Sequence, residues 1–266
     1  MIDFYWDTVK GKLSQSSMNN FLHRNSINLT NKNIMKNKLH KLSAALLIAL
    51  SLTACGGSDN DYPGPPMLVS EDGTSTFSSP NLNYALTYLP LESISTAEAA
   101  SLTFMREEEK LANNVYKLLG TTWAAQTRVF TNIANSEASH TEAIRQLLVR
   151  YTLADPAANL ADGVFQNQTL QQLYNSLIAQ GTFSYIDALK VGCAIEEIDI
   201  LDLQNALVGI DNQDITVVYN NLNLGSRNHL RSFVKALTWV GITYVPQYLS
   251  PEAYLAIVST PIERGN

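Results

Sequence analysis

Two histidines occupy matching positions in two similar stretches of this sequence. Residues 136–148 (SEASHTEAIRQLL) align with residues 225–237 (GSRNHLRSFVKAL), which places His140 on His229 and superimposes the closing leucine. The chain has 4 histidines, and these are the ones that follow Cys55. A single buried histidine is more often a satisfied core residue than a ligand, but two at matched places favour a metal site.

A second pair of stretches carries adjacent glutamates. Residues 105–119 (MREEEKLANNVYKLL) align with residues 193–207 (CAIEEIDILDLQNAL), so the acidic pair at 108–109 falls on the acidic pair at 196–197. In both copies the acidic stretch precedes the histidine stretch. The sequence therefore predicts two similar αα hairpins joined by a crossover, which together would form a four-helix bundle.

Several of these polar side chains fall on helix faces that are otherwise apolar. Glu109 interrupts a stripe of apolar residues at three- and four-residue spacing, and Glu197 lies in a similar stripe. Glu137 and His140 form an E-x-x-H pair one turn apart, and His229 is flanked by apolar residues at helical spacing. Buried carboxylates are costly unless they are paired or bound to a metal. This donor set matches, in part, that of di-iron and di-manganese carboxylate bundles.

The elements that must position these side chains are all predicted to be helices. A capping box at Ser95 and Glu98 marks the first start, and Gly120 and Gly241 are predicted stops. No segment alternates long enough to predict a sheet, so the expected fold class is all-α. Apolar spacing predicts long helices over about 96–119, 126–151, 185–208 and 213–240, and short ones over about 170–179 and 252–258.

The first fifth of the chain is typical of export rather than of a folded domain. Residues 1–34 are polar and are predicted to be an upstream extension translated from too early a start, whereas residues 35–54 have the basic start and short apolar run of a signal peptide. The sequence Leu-Thr-Ala-Cys resembles the lipobox of bacterial lipoproteins, which implies lipidation of Cys55. A plain signal peptide with a chance cysteine is the alternative. Residues 55–94 are predicted to be a flexible tether, and residues 95–260 a folded domain.

The composition argues against nucleic-acid partners and against stabilisation by a disulfide. The formal net charge is −6, and the segment before Cys55 is itself basic, so the rest of the chain would repel phosphate backbones. Nucleic-acid binding is therefore not expected. The chain has 2 cysteines, and if Cys55 is lipidated, Cys193 has no partner for an intrachain disulfide.

Four segments together resemble the ferritin-like proteins of the domain-of-unknown-function family 2202. They are FMREEEKLANNVYKLLG, NIANSEASHTEAIRQLL, GCAIEEIDILDLQNAL and NLGSRNHLRSFVKAL, and the resemblance covers roughly residues 96–258. The first segment also resembles the first ligand helix of rubrerythrin, whose E-x-x-A-x-x-x-Y pattern is matched by Glu109, Ala112 and Tyr116. The resemblance implies a ferritin-like four-helix bundle with short extra helices, binding iron in a di-iron or mononuclear site, or manganese instead. Tyr116 could lie near the metal as a redox-active or hydrogen-bonding phenol, but it is more readily explained as a core residue.

The resemblance also implies metal ligands, although one expected carboxylate is missing. Glu109 is preferred to Glu108 and, through the repeat, Glu197 to Glu196. Ser226 stands where the fourth helix should supply a glutamate. Glu196 or Asp199 could replace it, water could fill the position, or one metal could bind, so Glu108, Glu196 and Asp199 stay additional candidates. The implied ligand set is Glu109, Glu137, His140, Glu197 and His229.

Three functions are compatible with these residues. The first is redox chemistry with oxygen or peroxide, with electrons from an external donor because no rubredoxin-like Cys-x-x-Cys pair is present. The second is non-catalytic metal binding or sensing at the cell envelope, which the missing carboxylate favours. The third is a metal-free structural helical lipoprotein. In each case we expect an exported protein, anchored by the Cys55 lipid in the outer membrane and facing the periplasm, with a homodimer left open.

Overall fold

Helices dominate the part of the chain that the structure describes. A computed structural model describes residues 64–265, and this range contains two strands and seven helices. The predicted all-α class is confirmed in that the fold is mostly helical. The strands are β1 (Met67–Val69) and β2 (Ser75–Phe77), and the helices are α1 (Ser79–Tyr88), α2 (Thr96–Thr122), α3 (Val129–Arg150), α4 (Gln168–Gly181), α5 (Tyr185–Leu207), α6 (Gln213–Trp239) and α7 (Pro251–Val258).

Two of the predicted helix ends are confirmed, and one predicted stop is wrong. The Ser95 hydroxyl accepts from the backbone N–H of Glu98, and the Glu98 carboxylate accepts from the backbone N–H of Ser95, so the predicted capping box is present. Gly241 has a φ of 75° just beyond α6, as predicted for a stop. The prediction that Gly120 ends the first long helix is wrong, because α2 continues past it. A Cβ at Gly120 would lie 2.9 Å from Thr131 Oγ1, so this glycine instead lets α2 and α3 pack closely.

The four long helices form two consecutive hairpins. α2 packs along α3, and α5 packs along α6. The two pairs meet through contacts of α3 with α6 and of α2 with α5, while α4 lies in the crossover and contacts both α2 and α5. This order brings the two histidine-bearing helices, α3 and α6, side by side.

The buried apolar side chains form two clusters along these helices. One contains Tyr116, Phe130 and Phe233, and the other contains Met105 and Tyr219. Between them in sequence, on the same helices, lies a layer of buried charged residues whose polar atoms must be satisfied inside the protein. Its members are Glu107, Glu108, Glu109, Glu137, His140, Glu196, Glu197, Asp199 and His229.

The predicted flexible tether contains folded elements. β1 and β2 pair in antiparallel register with Met67 opposite Phe77, and both side chains are buried. Helix α1 follows and buries Leu82 and Leu86, which join the same apolar cluster as Met67. The tether prediction is therefore wrong over residues 67–88, and so is the prediction that no sheet forms. Strands of three residues are too short for their alternation to stand out in a sequence.

The other predictions about the N-terminus lie outside the described residues. These are the upstream extension over 1–34, the signal peptide over 35–54, the lipidation site Cys55 and the first part of the tether. Within residues 64–265, no helix combines the length and apolar character that crossing a membrane requires.

Candidate metal centre

Glu137 lies between the two histidines and reaches both of them. Its Oε2 is 2.9 Å from Nδ1 of His140, and its Oε1 is 2.8 Å from Nδ1 of His229. Glu137 and His140 are one turn apart on α3, whereas His229 comes from the neighbouring α6. All three side chains are buried. One carboxylate thus uses a different oxygen for each imidazole, as a carboxylate that bridges two cations does.

One further carboxylate completes each half of this arrangement. Glu109 on α2 places Oε2 3.4 Å from Nδ1 of His140, and Glu196 on α5 places Oε2 3.6 Å from Nδ1 of His229. Glu109, Glu137 and His140, which we call the α2 half-site, have ligand atoms within 4.8 Å of one another. Glu137, Glu196 and His229, the α5 half-site, meet the same condition. The repeat relates the two half-sites, and they share Glu137.

Apart from the two imidazoles, no group among the described residues donates a hydrogen bond to the carboxylate oxygens that face the histidines. Both oxygens of Glu109 and of Glu137, and Oε2 of Glu196, are buried and accept no hydrogen bond from a hydroxyl, an amide, a guanidinium or an ammonium group. Burying these carboxylates in their ionised form is unfavourable unless a cation lies close by. Because carboxylate and imidazole donors suit iron and manganese, these residues fit a pair of divalent cations.

Burial and the imidazole–carboxylate pairs together set the electrostatics of the half-sites. Burial raises the pKa of Glu109 and of Glu196, and the facing histidines offset this only in part. Burial acts in the same direction on Glu137, but the two imidazoles outweigh it and lower the pKa of Glu137 below 4.5. Burial lowers the pKa of both His140 and His229, yet the facing carboxylates raise it above 6.5. Glu137 is therefore the carboxylate most firmly held in its ionised form.

The structure brings Glu196, rather than Glu197, to the histidines. The rubrerythrin-like pattern and the repeat predicted Glu197 as the ligand on the third long helix. Instead, Glu197 accepts a hydrogen bond of 2.6 Å from the Tyr244 hydroxyl and further bonds from the backbone N–H groups of residues 247–249. Because the C-terminal segment satisfies its oxygens, Glu197 belongs to neither half-site, and Glu196 takes the position expected for it.

Glu108 and Asp199 are buried but also belong to neither half-site. Burial raises the pKa of Glu108, and the partly buried Asp202 raises it further. Burial also raises the pKa of Asp199, with a smaller contribution from Glu108. The structure places Glu109, not Glu108, against His140, in line with the predicted preference.

Ser226 leaves α6 without the glutamate that α3 supplies. Its hydroxyl donates to the backbone carbonyl of Leu222, one turn earlier on α6, at 3.1 Å. Neither Glu108 nor Asp199 supplies the missing carboxylate, since both lie outside the two groups of converging ligand atoms. The two half-sites together therefore offer three carboxylates and two imidazoles.

Two further groups orient the centre. The hydroxyl of the buried Tyr116 donates to Oε1 of Glu196 at 2.6 Å, which leaves Oε2 on the side of His229. The backbone carbonyl of Ser75 lies 2.7 Å from Nε2 of His140. The sequence offered Tyr116 as a hydrogen-bonding phenol only as the less favoured alternative, and a backbone carbonyl leaves no signal in residue types.

The part of the chain that resembles known proteins includes this centre. A family model described as an uncharacterized protein domain (DUF2202) matches residues 98–261, which include every residue of the two half-sites. The uncharacterized protein MJ0754 from Methanocaldococcus jannaschii is 48% identical over 177 residues, which are 66% of this chain and 95% of that protein. The crystal structure of the hypothetical protein MJ0754 from Methanococcus jannaschii has a TM-score of 0.64 and 46% identity, over 66% of this chain and 99% of that one. The chain belongs to the DUF2202 family.

Proposed function

We propose that this chain is a ferritin-like metal-binding protein that holds iron, or manganese in its place, and uses it in redox chemistry with oxygen or peroxide. The observation that carries the proposal is the position of Glu137, whose two oxygens face two different imidazoles. Three buried carboxylates converge on two imidazoles, so when all three carboxylates are ionised even two imidazolium ions would leave negative charge in a buried site. Divalent cations would neutralise that charge.

The distribution of donors over the helices supports the ferritin-like assignment. Glu109 and Glu196 come from the first helix of each hairpin, and His140 and His229 come from the second helix. Di-iron carboxylate bundles use this distribution, with a Glu-x-x-His pair on each of the second helices. This chain keeps one such pair, through Glu137, and is one carboxylate short of the full set.

Each residue would have a distinct task around such a metal pair. Iron would supply one-electron oxidation and reduction at the centre. Glu137 would hold the two half-sites together, Glu109 and Glu196 would each offset charge in one half-site, and Tyr116 keeps Glu196 oriented through its hydrogen bond. Because α6 offers Ser226 instead of a carboxylate, a bound metal would have one protein ligand fewer, and water or an oxidant could take that place.

A redox cycle at this centre would need electrons from another protein or a small reductant. Cys193 is the free cysteine of the described residues, and it is buried. The sequence has no Cys-x-x-Cys pair that could hold an electron-transfer metal. We therefore include an external electron donor in the proposal.

Metal binding or sensing without turnover is the second candidate, and Ser226 favours it. Loss of one carboxylate leaves an asymmetric centre, which weakens the case for chemistry that needs two matched ions. Oxygen or peroxide consumption by the Fe(II)-loaded protein, measured with an electrode, separates the two candidates. Catalytic consumption supports the redox function, whereas stable Fe(II) with no consumption supports binding or sensing.

Metal content is the test of the proposal itself. The purified protein is reconstituted anaerobically with Fe(II) or Mn(II), and the bound metal is measured by mass spectrometry. We expect about two ions per chain, and none in a His140→Ala/His229→Ala double variant. Glu142→Ala is the matched control, because Glu142 lies on α3 but pairs with Arg145 at the surface. A wild-type protein that stays empty would instead support the metal-free structural helical lipoprotein.

We also propose that the protein is exported and anchored by a lipid on Cys55, in the outer membrane and facing the periplasm. The Leu-Thr-Ala-Cys sequence after a short apolar run supports this. Mass spectrometry of the native N-terminus and membrane fractionation test it. We expect a diacylated Cys55 in the membrane fraction, and a Cys55→Ser variant without the lipid. A wild-type protein that carries no lipid would end this part of the proposal.

A further inference from the structure

The two half-sites differ in how their histidines are held. Nε2 of His140 lies 2.7 Å from the backbone carbonyl of Ser75. Because a carbonyl can only accept, His140 carries a proton on Nε2 and directs Nδ1 at Glu109 and Glu137. Nε2 of His229 is buried and has no hydrogen-bond partner among residues 64–265. One imidazole is therefore fixed by a bond on its far side, and the other is not.

The β1–β2 hairpin fixes the Ser75 carbonyl by bonding to both histidine-bearing helices. On α3, the Ser136 hydroxyl accepts from the N–H of Ser75 at 3.1 Å, and the Ser139 hydroxyl accepts from the N–H of Phe77 at 2.9 Å. On α6, the Asn228 amide donates to Ser75 Oγ at 3.2 Å. These bonds hold β2 in register with the turn of α3 that carries His140.

The turn of the hairpin is seated tightly on α6. Gly73 has a φ of 91°, and a Cβ there would lie 2.2 Å from Ser232 Oγ and 2.9 Å from the backbone oxygen of Asn228. The Ser232 hydroxyl also donates to the backbone carbonyl of Asp72 at 2.6 Å. A side chain at position 73 would therefore push the turn away from α6.

The α5 half-site is oriented through its carboxylate instead. Tyr116 donates to Glu196, whereas Glu109 in the α2 half-site accepts no such bond. A hydrogen bond donated to a carboxylate withdraws electron density from it. A hydrogen bond donated by an imidazole N–H to a carbonyl has the opposite effect and makes the other ring nitrogen more basic. The Ser75 carbonyl makes His140 the better donor, and the Tyr116 hydroxyl makes Glu196 the weaker one. Both effects favour stronger cation binding in the α2 half-site.

We propose that the Ser75 carbonyl positions His140 so that the α2 half-site binds its metal ion first and more tightly, and the α5 half-site fills second. This inference rests on the proposed metal-binding function. Ser75 acts through His140 and is a positioning residue. It lies outside residues 98–261, so the hairpin adds an orienting group from beyond the matched family domain. Loss of such an outer partner typically weakens metal binding by about 10- to 100-fold.

Anaerobic titration with Co(II), followed by calorimetry and visible absorption, tests the order of filling. The wild-type protein should bind in two steps whose dissociation constants differ by about tenfold or more. His229→Ala leaves the α2 half-site intact and should keep the tight step. His140→Ala leaves the α5 half-site intact and should keep the weak step.

A pair of glycine variants tests the role of the hairpin. Gly73→Ala should weaken the tight step by about tenfold while changing the weak step by less than about twofold. Gly241→Ala is the matched control, because Gly241 also has a positive φ but a Cβ there meets nothing within 4 Å. It should leave both steps unchanged. The spectrum of the first bound Co(II) should change in Gly73→Ala, which a general loss of stability would not cause.

The outcomes separate this inference from the function on which it rests. If the wild-type protein binds no Co(II), Fe(II) or Mn(II), the metal-binding function itself is wrong. Two equal steps, a tight step that survives in His140→Ala, or loss of all binding in His229→Ala would each overturn the order of filling. An unchanged tight step in Gly73→Ala would overturn the role of Ser75.

Discussion

The hydroxyl of Tyr244 donates a hydrogen bond of 2.6 Å to Glu197, although Glu197 was the residue predicted to bind metal. With three further bonds from backbone N–H groups, this carboxylate anchors the segment that follows α6. A carboxylate with this many donors is satisfied without a cation. Its neighbour Glu196 has one oxygen with no donor. Two adjacent glutamates on α5 therefore have different tasks.

Substituting each of these glutamates in turn should separate the two tasks. Glu196→Gln removes a charge from the α5 half-site, so we expect one metal ion to be lost per chain. Glu197→Gln should keep the full metal content but lower the free energy of unfolding by about 2 kcal/mol, because charge-assisted bonds to the C-terminal segment are weakened. Metal analysis and urea denaturation measure the two effects. The assignment is wrong if Glu197→Gln is the variant that loses metal.

The same pair shows what the sequence could and could not decide about the site. Successive residues on a helix point about 100° apart, so both glutamates can border the same buried layer. The donor that distinguishes them, Tyr244, lies 47 residues away from Glu197.

The matched histidines were informative because His140 and His229 occur at equivalent places in a repeat, and the structure does bring them together.

The helices were predictable because their apolar spacing and caps are local, whereas the hairpin was not. β2 is held by the Ser136 and Ser139 hydroxyls on α3, more than 60 residues further along the chain. Glycine- and serine-rich sequence around it is typical of a tether. The apolar surface and the hydrogen-bond acceptors that order β2 come from the packed helices. The sequence of the hairpin alone therefore could not indicate that β2 lies beside His140.

Adding the missing carboxylate should strengthen the centre. Ser226 is buried three residues before His229 on α6, so Ser226→Glu would recreate a Glu-x-x-His pair like that on α3. We expect the affinity of the α5 half-site for Fe(II) to rise by about tenfold, and the metal-free protein to become less stable because it gains a buried charge. Ser226→Gln is the neutral control of similar shape. Equal Fe(II) affinities of the two variants would show that a charge at position 226 does not strengthen metal binding.

Gly225 should matter because it lies against His140. A Cβ at position 225 would be 2.8 Å from Cε1 and 3.1 Å from Nε2 of His140, so Gly225→Ala should displace the imidazole. We expect the α2 half-site to bind Co(II) about tenfold more weakly. Gly209→Ala is the control, since the nearest atom to its Cβ would be 3.9 Å away. Unchanged Co(II) affinity in Gly225→Ala would mean that the ring position does not limit binding.

Glu263 should stabilise the folded chain in a pH-dependent way. Burial would raise its pKa, but hydrogen bonds from Arg227 and Arg231 outweigh burial and lower the pKa below 4.5. A group with a lowered folded-state pKa stabilises the protein above its unfolded pKa and loses that effect as the pH falls through the folded value. Because the side chain is 31% exposed, we expect Glu263→Gln to cost no more than about 1 kcal/mol at pH 7.

Urea denaturation from pH 7 downward checks this pH dependence. The difference between the wild type and Glu263→Gln should stay constant at neutral pH and shrink as the pH falls below about 4.5, where the wild-type carboxyl also becomes neutral. Comparing the two proteins at each pH removes the contribution of the metal centre, which they share. Glu71→Gln is the control, since the Glu71 side chain is 94% exposed and lies 4.0 Å from Arg264. A difference that persists at low pH would indicate that Glu263 acts through packing rather than through its charge.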